Sequence, residues 1–143
     1  MTDPPVVLRK LGTLREHVAR ASRRRPSSVD AFLADVDAQD ALSMSLLVAV
    51  QEAVDVAFHV STDEGWGVPA SYAESFEILA RNGVLTDRLA KTMTSTSALR
   101  NRLAHGYASV DAARLWAELP AGLEALTDFA TRVAVWLGRS ASP

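Results

Sequence analysis

Residues 37–61, DAQDALSMSLLVAVQEAVDVAFHVS, decide the fold class of this chain. Apolar side chains recur along this stretch at helical spacing and lie on several faces of the helix that they predict. A helix of about 25 residues is roughly 37 Å long at 1.5 Å per residue. A helix that is apolar on several faces has to be buried on more than one side. The sequence therefore predicts either the central rod of a bundle or a helix that a second subunit partly covers.

Helical spacing continues on both sides of this stretch. The pattern predicts further helices from about Pro5 to Ala21, from Ser28 with Phe32 and Leu33 packed inward, from Tyr72 to Arg81, from Asp87 to His105, and from Asp111 to Gly138. Pro120 is expected to kink or restart the last of them. The sequence has no strand-like alternation, so it predicts an all-α fold, an antiparallel bundle of about five helices.

The composition favours one globular domain. The chain has 143 residues, 48% of them hydrophobic, which suits a single core over residues 1–143. We expect residues 1–5 and 139–143 to be frayed, as chain ends often are. Cysteine is absent, which excludes disulfides and thiolate metal sites and fits a reducing, cytoplasmic compartment. The first residues lack the pattern of a secretory signal and the apolar runs are short, so we expect no membrane span.

The stretch RNRLAHGY, residues 100–107, carries the chemistry. Arginine stabilises phosphate charge and histidine moves a proton near neutral pH, so Arg100 and His105 are the residue types needed to cut a phosphodiester without a metal or cofactor. Asn101 and His105 share a helix face, whereas Arg100 and His105 diverge by about 140°. One protomer thus offers an incomplete site. A homodimer around a two-fold axis would bring two copies of each residue together.

This stretch resembles the signature of HEPN-domain ribonucleases, in the form seen in the HepT branch, the toxin of MNT–HEPN toxin–antitoxin systems. The likeness extends to Asp40-Ala41 leading into the long helix with Gln51 and Asp55, to residues 72–85, and to Val110-Asp111. It runs in order from about Leu8 to Val135, which makes it more specific than a motif match alone. The chain departs from the pattern at Met44-Ser45, where relatives often carry Arg-Asn.

The resemblance implies an HEPN-like domain, a metal-independent endoribonuclease activity and a role for each motif residue. Arg100 would stabilise charge on the scissile phosphate of an RNA substrate, with Arg102 as a supporting residue. Asn101 would hold His105 or a phosphate oxygen by hydrogen bonding. His105 would be the general acid or base for attack by the 2′-hydroxyl. Tyr107 would accept AMP from the cognate MNT nucleotidyltransferase antitoxin. The added charge and bulk would then occupy the place of the RNA phosphates.

Several of these residues also have an ordinary structural interpretation. Arg100 and His105 could be charged residues at a helix C-terminus, where positive charge is favoured, and Tyr107 could be a packing residue. Gln51, Asp55 and His59 form a polar stripe that either supports the motif helix or faces solvent. If the motif is not catalytic, the chain would be a silent helical binding module that docks on a nucleotidyltransferase. A general nucleic-acid-binding protein conflicts with the net charge of −2.

Other conspicuous residues point to structure more than to function. The run Arg23-Arg24-Arg25 could steer RNA, but such a run more often forms a solvated turn, and we favour the turn. Trp66, between two glycines, is expected to pin its loop to the bundle, and Trp116 and Trp136 are expected in the core or an interface. The spacing of the histidines fits no zinc pattern, so no metal site is expected.

Overall fold

The computed structural model describes residues 2–106 and 111–140, without the side chains of residues 103–106. The described residues form six helices and no strand, which confirms the all-α prediction. The helices are α1 (Pro4–Arg24), α2 (Val29–Leu33), α3 (Val36–Asp63), α4 (Tyr72–Arg81), α5 (Asp87–Gly106) and α6 (Ala112–Ser140). Their order matches the predicted segments. Five of the helices are longer, in agreement with the predicted bundle of about five, and the sixth, α2, is short.

Short polar side chains determine where several helices begin. Asp35 accepts a hydrogen bond from the backbone N–H of Ala38 at the start of α3, and Ser71 accepts one from Glu74 at the start of α4. Such bonds satisfy the N–H groups that the first helical turn leaves without a partner. Gly83, which follows α4, has a φ of +80°, a conformation that glycine adopts without a steric penalty. These local signals explain why the boundaries of α4 were predictable.

Helix α3 is the central rod of the bundle, because it contacts each of the other five helices. Its inward side chains meet a core that includes Phe32, Phe76 and Phe129, each fully buried. By length and composition α3 is also apolar enough to cross a membrane, but 56% of its most apolar window is already buried inside the bundle. Packing against neighbouring helices therefore accounts for its apolar character.

Helix α6 does not restart at Pro120, which corrects one of the two outcomes predicted for this residue. The helix runs without interruption from Ala112 to Ser140, with Pro120 inside it and exposed. Proline lacks the N–H that would bond the carbonyl of residue 116, but Arg25 donates to that carbonyl of Trp116 from Nε and Nη2 at 3.2 and 2.9 Å. The arginine replaces the missing helix bond. The solvated turn predicted for the basic run is therefore only partly right. Arg23 and Arg24 are exposed but form the end of α1, and Arg25 follows the helix and is half-buried.

Two further expectations need correction. Leu33 is 48% exposed while Phe32 is fully buried, because adjacent helical residues point about 100° apart and the short α2 buries one of them. The segments expected to be frayed are partly helical, since α1 begins at Pro4 and α6 ends at Ser140. The hydroxyl of Thr2 also donates to Glu64 at 3.3 Å. Residues 141–143 lie outside the described residues.

The loop between α3 and α4 is held to the bundle as expected. The rings of Trp66 and Trp136 meet edge to face with their centroids 5.6 Å apart, which ties the loop to α6. Trp116 packs against the core and donates from its ring nitrogen to the carbonyl of Pro26 at 2.9 Å. All three tryptophans therefore stabilise packing.

Candidate active site

The site is built where the C-terminal part of α5 lies against the middle of α3. Arg100 is half-buried on α5, and its guanidinium reaches across to α3. Its Nη2 donates to Oε1 of Gln51 at 3.0 Å, and its Nη1 donates to Oδ1 of Asn101 at 3.1 Å. A guanidinium carries five N–H donors, so three of them have no partner among the described residues. The N–H on Nε is buried, which leaves one N–H on each of Nη1 and Nη2 for an anion.

A relay of two hydrogen bonds and one ion pair extends from Arg100 through α3 to α1. Gln51 donates from Nε2 to Oδ1 of Asp55 at 2.8 Å, and Oδ2 of Asp55 lies 3.5 Å from the ammonium of Lys10. The same ammonium lies 3.8 Å from a carboxylate oxygen of Glu52. Of the polar stripe, Gln51 therefore contacts the motif helix directly, and Asp55 is connected to it through Gln51.

The sequence pattern grouped His59 with this relay and did not identify Lys10. His59, the third member of the stripe, pairs instead with Asp63, with Nε2 and Oδ2 at 3.1 Å. Lys10 was missed altogether, because nothing on α1 itself marks it. The available signal was on α3, where two partly buried carboxylates, Glu52 and Asp55, on a largely apolar helix favour a nearby cation.

Arg102 faces the opposite side of α5 from Arg100. Two residues along a helix correspond to a rotation of about 200°, which turns Arg102 towards α6. There its Nη2 lies 3.5 Å from Oε2 of Glu118, and Arg114 donates from Nε to Oε1 of the same carboxylate at 2.8 Å. The bond to Glu118, followed by the charge of Glu118, raises the pKa of Arg114. These three side chains line a groove of about 420 Å³ between α5 and α6.

The motif itself is only partly described. The backbone of α5 is helical through Gly106, so the helical phase that separates Arg100 from His105 applies between these two residues. The side chain of His105 and the whole of Tyr107 lie outside the described residues. In the described part of the chain, no group of three His, Asp or Glu residues is placed to hold a metal ion.

Comparisons of the sequence with a family model and with known proteins point to the same kind of protein. The family model of the HepT-like ribonucleases matches residues 14–133. The mRNA nuclease HepT of Shewanella oneidensis is 26% identical over 102 residues, which cover 71% of this chain and 76% of that protein. The tRNA nuclease HepT of Aphanizomenon flos-aquae is 27% identical over 109 residues, 76% of this chain and 74% of that protein.

The fold comparison agrees with the sequence comparison. The structure superposes on the tri-AMPylated Shewanella oneidensis HEPN toxin, solved in complex with its MNT antitoxin, with a TM-score of 0.84. That match has 23% sequence identity and covers 94% of this chain and 99% of the toxin chain. The likeness spans almost the whole of both chains, so it establishes a shared fold.

Proposed function

The chain belongs to the HepT-like ribonuclease family, and we propose that it is an endoribonuclease toxin neutralised by a nucleotidyltransferase antitoxin. The observation that carries the proposal is the guanidinium of Arg100, which Gln51 and Asn101 hold in place while other donors stay free. A fixed cation with unused donors can stabilise the charge that develops in phosphodiester cleavage, and a histidine five residues further along the same helix supplies the residue type for proton transfer.

The proposed reaction is transesterification by the RNA itself. The 2′-hydroxyl loses its proton to a general base as its oxygen bonds to phosphorus. The bond from phosphorus to the 5′-oxygen breaks, and a general acid protonates that oxygen. The products are a 2′,3′-cyclic phosphate and a free 5′-hydroxyl. Arg100 would stabilise the additional negative charge on the phosphoryl oxygens, and His105 would transfer one of the two protons, so the residues named need no metal.

The decisive experiment is RNA cleavage by purified protein in excess EDTA. We expect the wild type to cut, and Arg100→Ala and His105→Ala each to lose at least about 100-fold in rate, in the range typical of lost acid–base or charge-stabilising groups. Arg24→Ala is the matched control, because this exposed arginine at the end of α1 belongs to no part of the proposed site. Cleavage that disappears in EDTA, or that both motif variants retain, contradicts the mechanism.

A homodimer with the motif helices near the two-fold axis is part of the proposal. The regular α5 separates Arg100 from His105 by about 140°, so a second copy would supply what one protomer lacks. Met44, 58% exposed, and the half-buried Val48 continue the face of α3 that carries Gln51. This apolar strip beside the site offers a surface for that copy.

Light scattering should give twice the chain mass, and Met44→Asp should shift the protein towards monomer. If the wild type is a monomer at the assay concentration, a site built from two subunits is ruled out.

Regulation by the antitoxin would act on Tyr107. The solved relative is tri-AMPylated and bound to its MNT antitoxin, and Tyr107 stands two residues after His105 in this chain. Co-expression with a cognate nucleotidyltransferase should therefore add one or more AMP units, and Tyr107→Phe should stay unmodified. A neutralised complex that carries no added mass would leave steric blocking as the mode of inhibition. An RNA substrate and an ATP-using partner would both be met in the cytoplasm, the compartment that we expect.

A further inference from the structure

We propose that Gln51 and Lys10 are positioning residues: Gln51 holds Arg100 in place without neutralising it, and Lys10 keeps the amide of Gln51 in the required orientation through Asp55. The inference rests on the proposed function, because it assigns Arg100 the task of binding a phosphate of RNA.

The chemistry of the two neighbours determines the orientation of the Gln51 amide. A guanidinium only donates hydrogen bonds and a carboxylate only accepts them. Gln51 lies between one of each, with Oε1 3.0 Å from Arg100 and Nε2 2.8 Å from Asp55. An amide satisfies both neighbours at once, in one orientation. A carboxylate at position 51 could not donate to Asp55, and an apolar side chain could serve neither neighbour.

The amide also keeps negative charge away from Arg100. A carboxylate in direct contact with a guanidinium forms a strong paired interaction and competes with a phosphate for the same N–H donors. Here the side chain of Gln51 lies between Asp55 and Arg100, and Asp55 faces the ammonium of Lys10 at 3.5 Å. Lys10 also approaches Glu52 at 3.8 Å. Lys10 from α1 thus supplies a cation for Asp55 and Glu52, neither of which contacts Arg100 directly, and the charge of Arg100 stays available to RNA.

Two substitutions of Gln51 separate its two tasks. Gln51→Glu places a carboxylate on Arg100, so we expect RNA binding to weaken by about 10-fold or more, as for one lost charged contact. Gln51→Leu leaves Arg100 charged but removes the hydrogen bond that holds its guanidinium in place. Since a displacement of about 1 Å in an active site can reduce the rate by about 100-fold, we expect kcat to fall by about 10- to 100-fold with little change in KM.

Lys10 is tested in the same way. Lys10→Met should leave Asp55 free to turn away from Gln51, and kcat should fall by about 10-fold for this more distant link. Lys10→Arg retains the cation and should restore most of the loss. Gln39→Glu is the matched control on α3, because Gln39 is also half-buried but bonds the carbonyl of Phe32 on α2.

The experiment measures cleavage in EDTA and, separately, the binding of a 2′-deoxy-substituted RNA that cannot react. Binding is measured over a salt series, because loss of one phosphate contact reduces the slope of log K against log salt by about 0.7 for a single strand. Gln51→Glu should show this reduction, whereas a variant that is only less stable should not. Thermal unfolding confirms that each variant is folded at the assay temperature.

The outcomes separate this inference from the proposed function. If the wild type binds the RNA but does not cut it, the proposed function fails, and the binding of Gln51→Glu still tests the inference. If the wild type cuts and Gln51→Glu binds with unchanged affinity and salt slope, the inference is overturned. It is equally overturned if Lys10→Met and Lys10→Arg have the same rate.

Discussion

Arg25 supplies the hydrogen bond that Pro120 removes from α6. In a regular helix the N–H of residue 120 would bond the carbonyl of Trp116, and proline has no N–H. Arg25 donates to that carbonyl from two nitrogens, and its guanidinium carbon lies 3.9 Å from the centroid of the Trp116 ring. Arg25→Met retains much of the packing volume but removes the donors and the cation–π contact.

The size of the effect follows from these contacts. A hydrogen bond from a charged group contributes about 1.5–3 kcal/mol, and a cation–π contact about 0.5–2 kcal/mol. Because Arg25 is half-buried, the lower parts of both ranges apply, and Arg25→Met should reduce the free energy of unfolding by about 2–3 kcal/mol. With a urea m-value of about 2 kcal/mol/M, the unfolding midpoint should fall by about 1–1.5 M at constant m.

A double-mutant cycle tests the cause. Pro120→Ala restores an N–H for the carbonyl of Trp116, so in that background Arg25→Met should remove mainly the cation–π contact, about 1 kcal/mol. Urea unfolding followed by circular dichroism gives the four free energies, and Arg24→Met at the exposed neighbouring position is the control. Equal losses in both backgrounds would refute the substitute bond. An equal loss for Arg24→Met would refute a specific role for Arg25.

Three further substitutions test the packing that positions the site. Gly83→Ala should lower the free energy of unfolding by about 1–2 kcal/mol, because Gly83 has a φ of +80°, and a proportional shift of the urea midpoint measures it. Phe129→Ala should remove about 3–5 kcal/mol, because this ring is fully buried. The ring meets that of Phe76 edge to face with centroids 5.9 Å apart, so a cycle with Phe76→Leu should show coupling, and additive losses would contradict a specific ring contact. Ser71→Ala should lose about 1 kcal/mol with the cap of α4, and Ser71→Asp should retain most of it; no difference between the two would mean that the cap contributes little.

Local signals made most of the helix boundaries predictable. The predicted limits of α4, Tyr72 to Arg81, agree with the structure because Ser71 caps its start and Asn82-Gly83 follow its end. The prediction of a restart inside α6 failed because the deciding contact comes from a distant part of the sequence. Pro120 was expected to kink or restart the helix. The helix does not restart there, and an arginine 91 residues away from Trp116 in sequence satisfies the carbonyl that proline leaves open.

The candidate site was predictable in its residue types and less so in its connections. The sequence marked Arg100 by its motif and left Gln51 and Asp55 between two interpretations. In the structure, Gln51 bonds Arg100 on the motif helix and Asp55 bonds Gln51. Lys10 gave no signal of its own. Arg102, grouped with Arg100 by its place in the motif, lies on the other side of α5 and pairs with Glu118.

The sequence by itself determined the all-α class, the order of the helices and the motif, because periodicity, caps and residue chemistry act over a few neighbouring residues. Only the tertiary structure decided which polar side chains meet. Helical phase fixes the direction of a side chain relative to its own axis but not which helix lies in that direction. Gln51 and Arg100 are 49 residues apart in sequence. Their hydrogen bond exists because packing of the apolar faces brings α3 and α5 together.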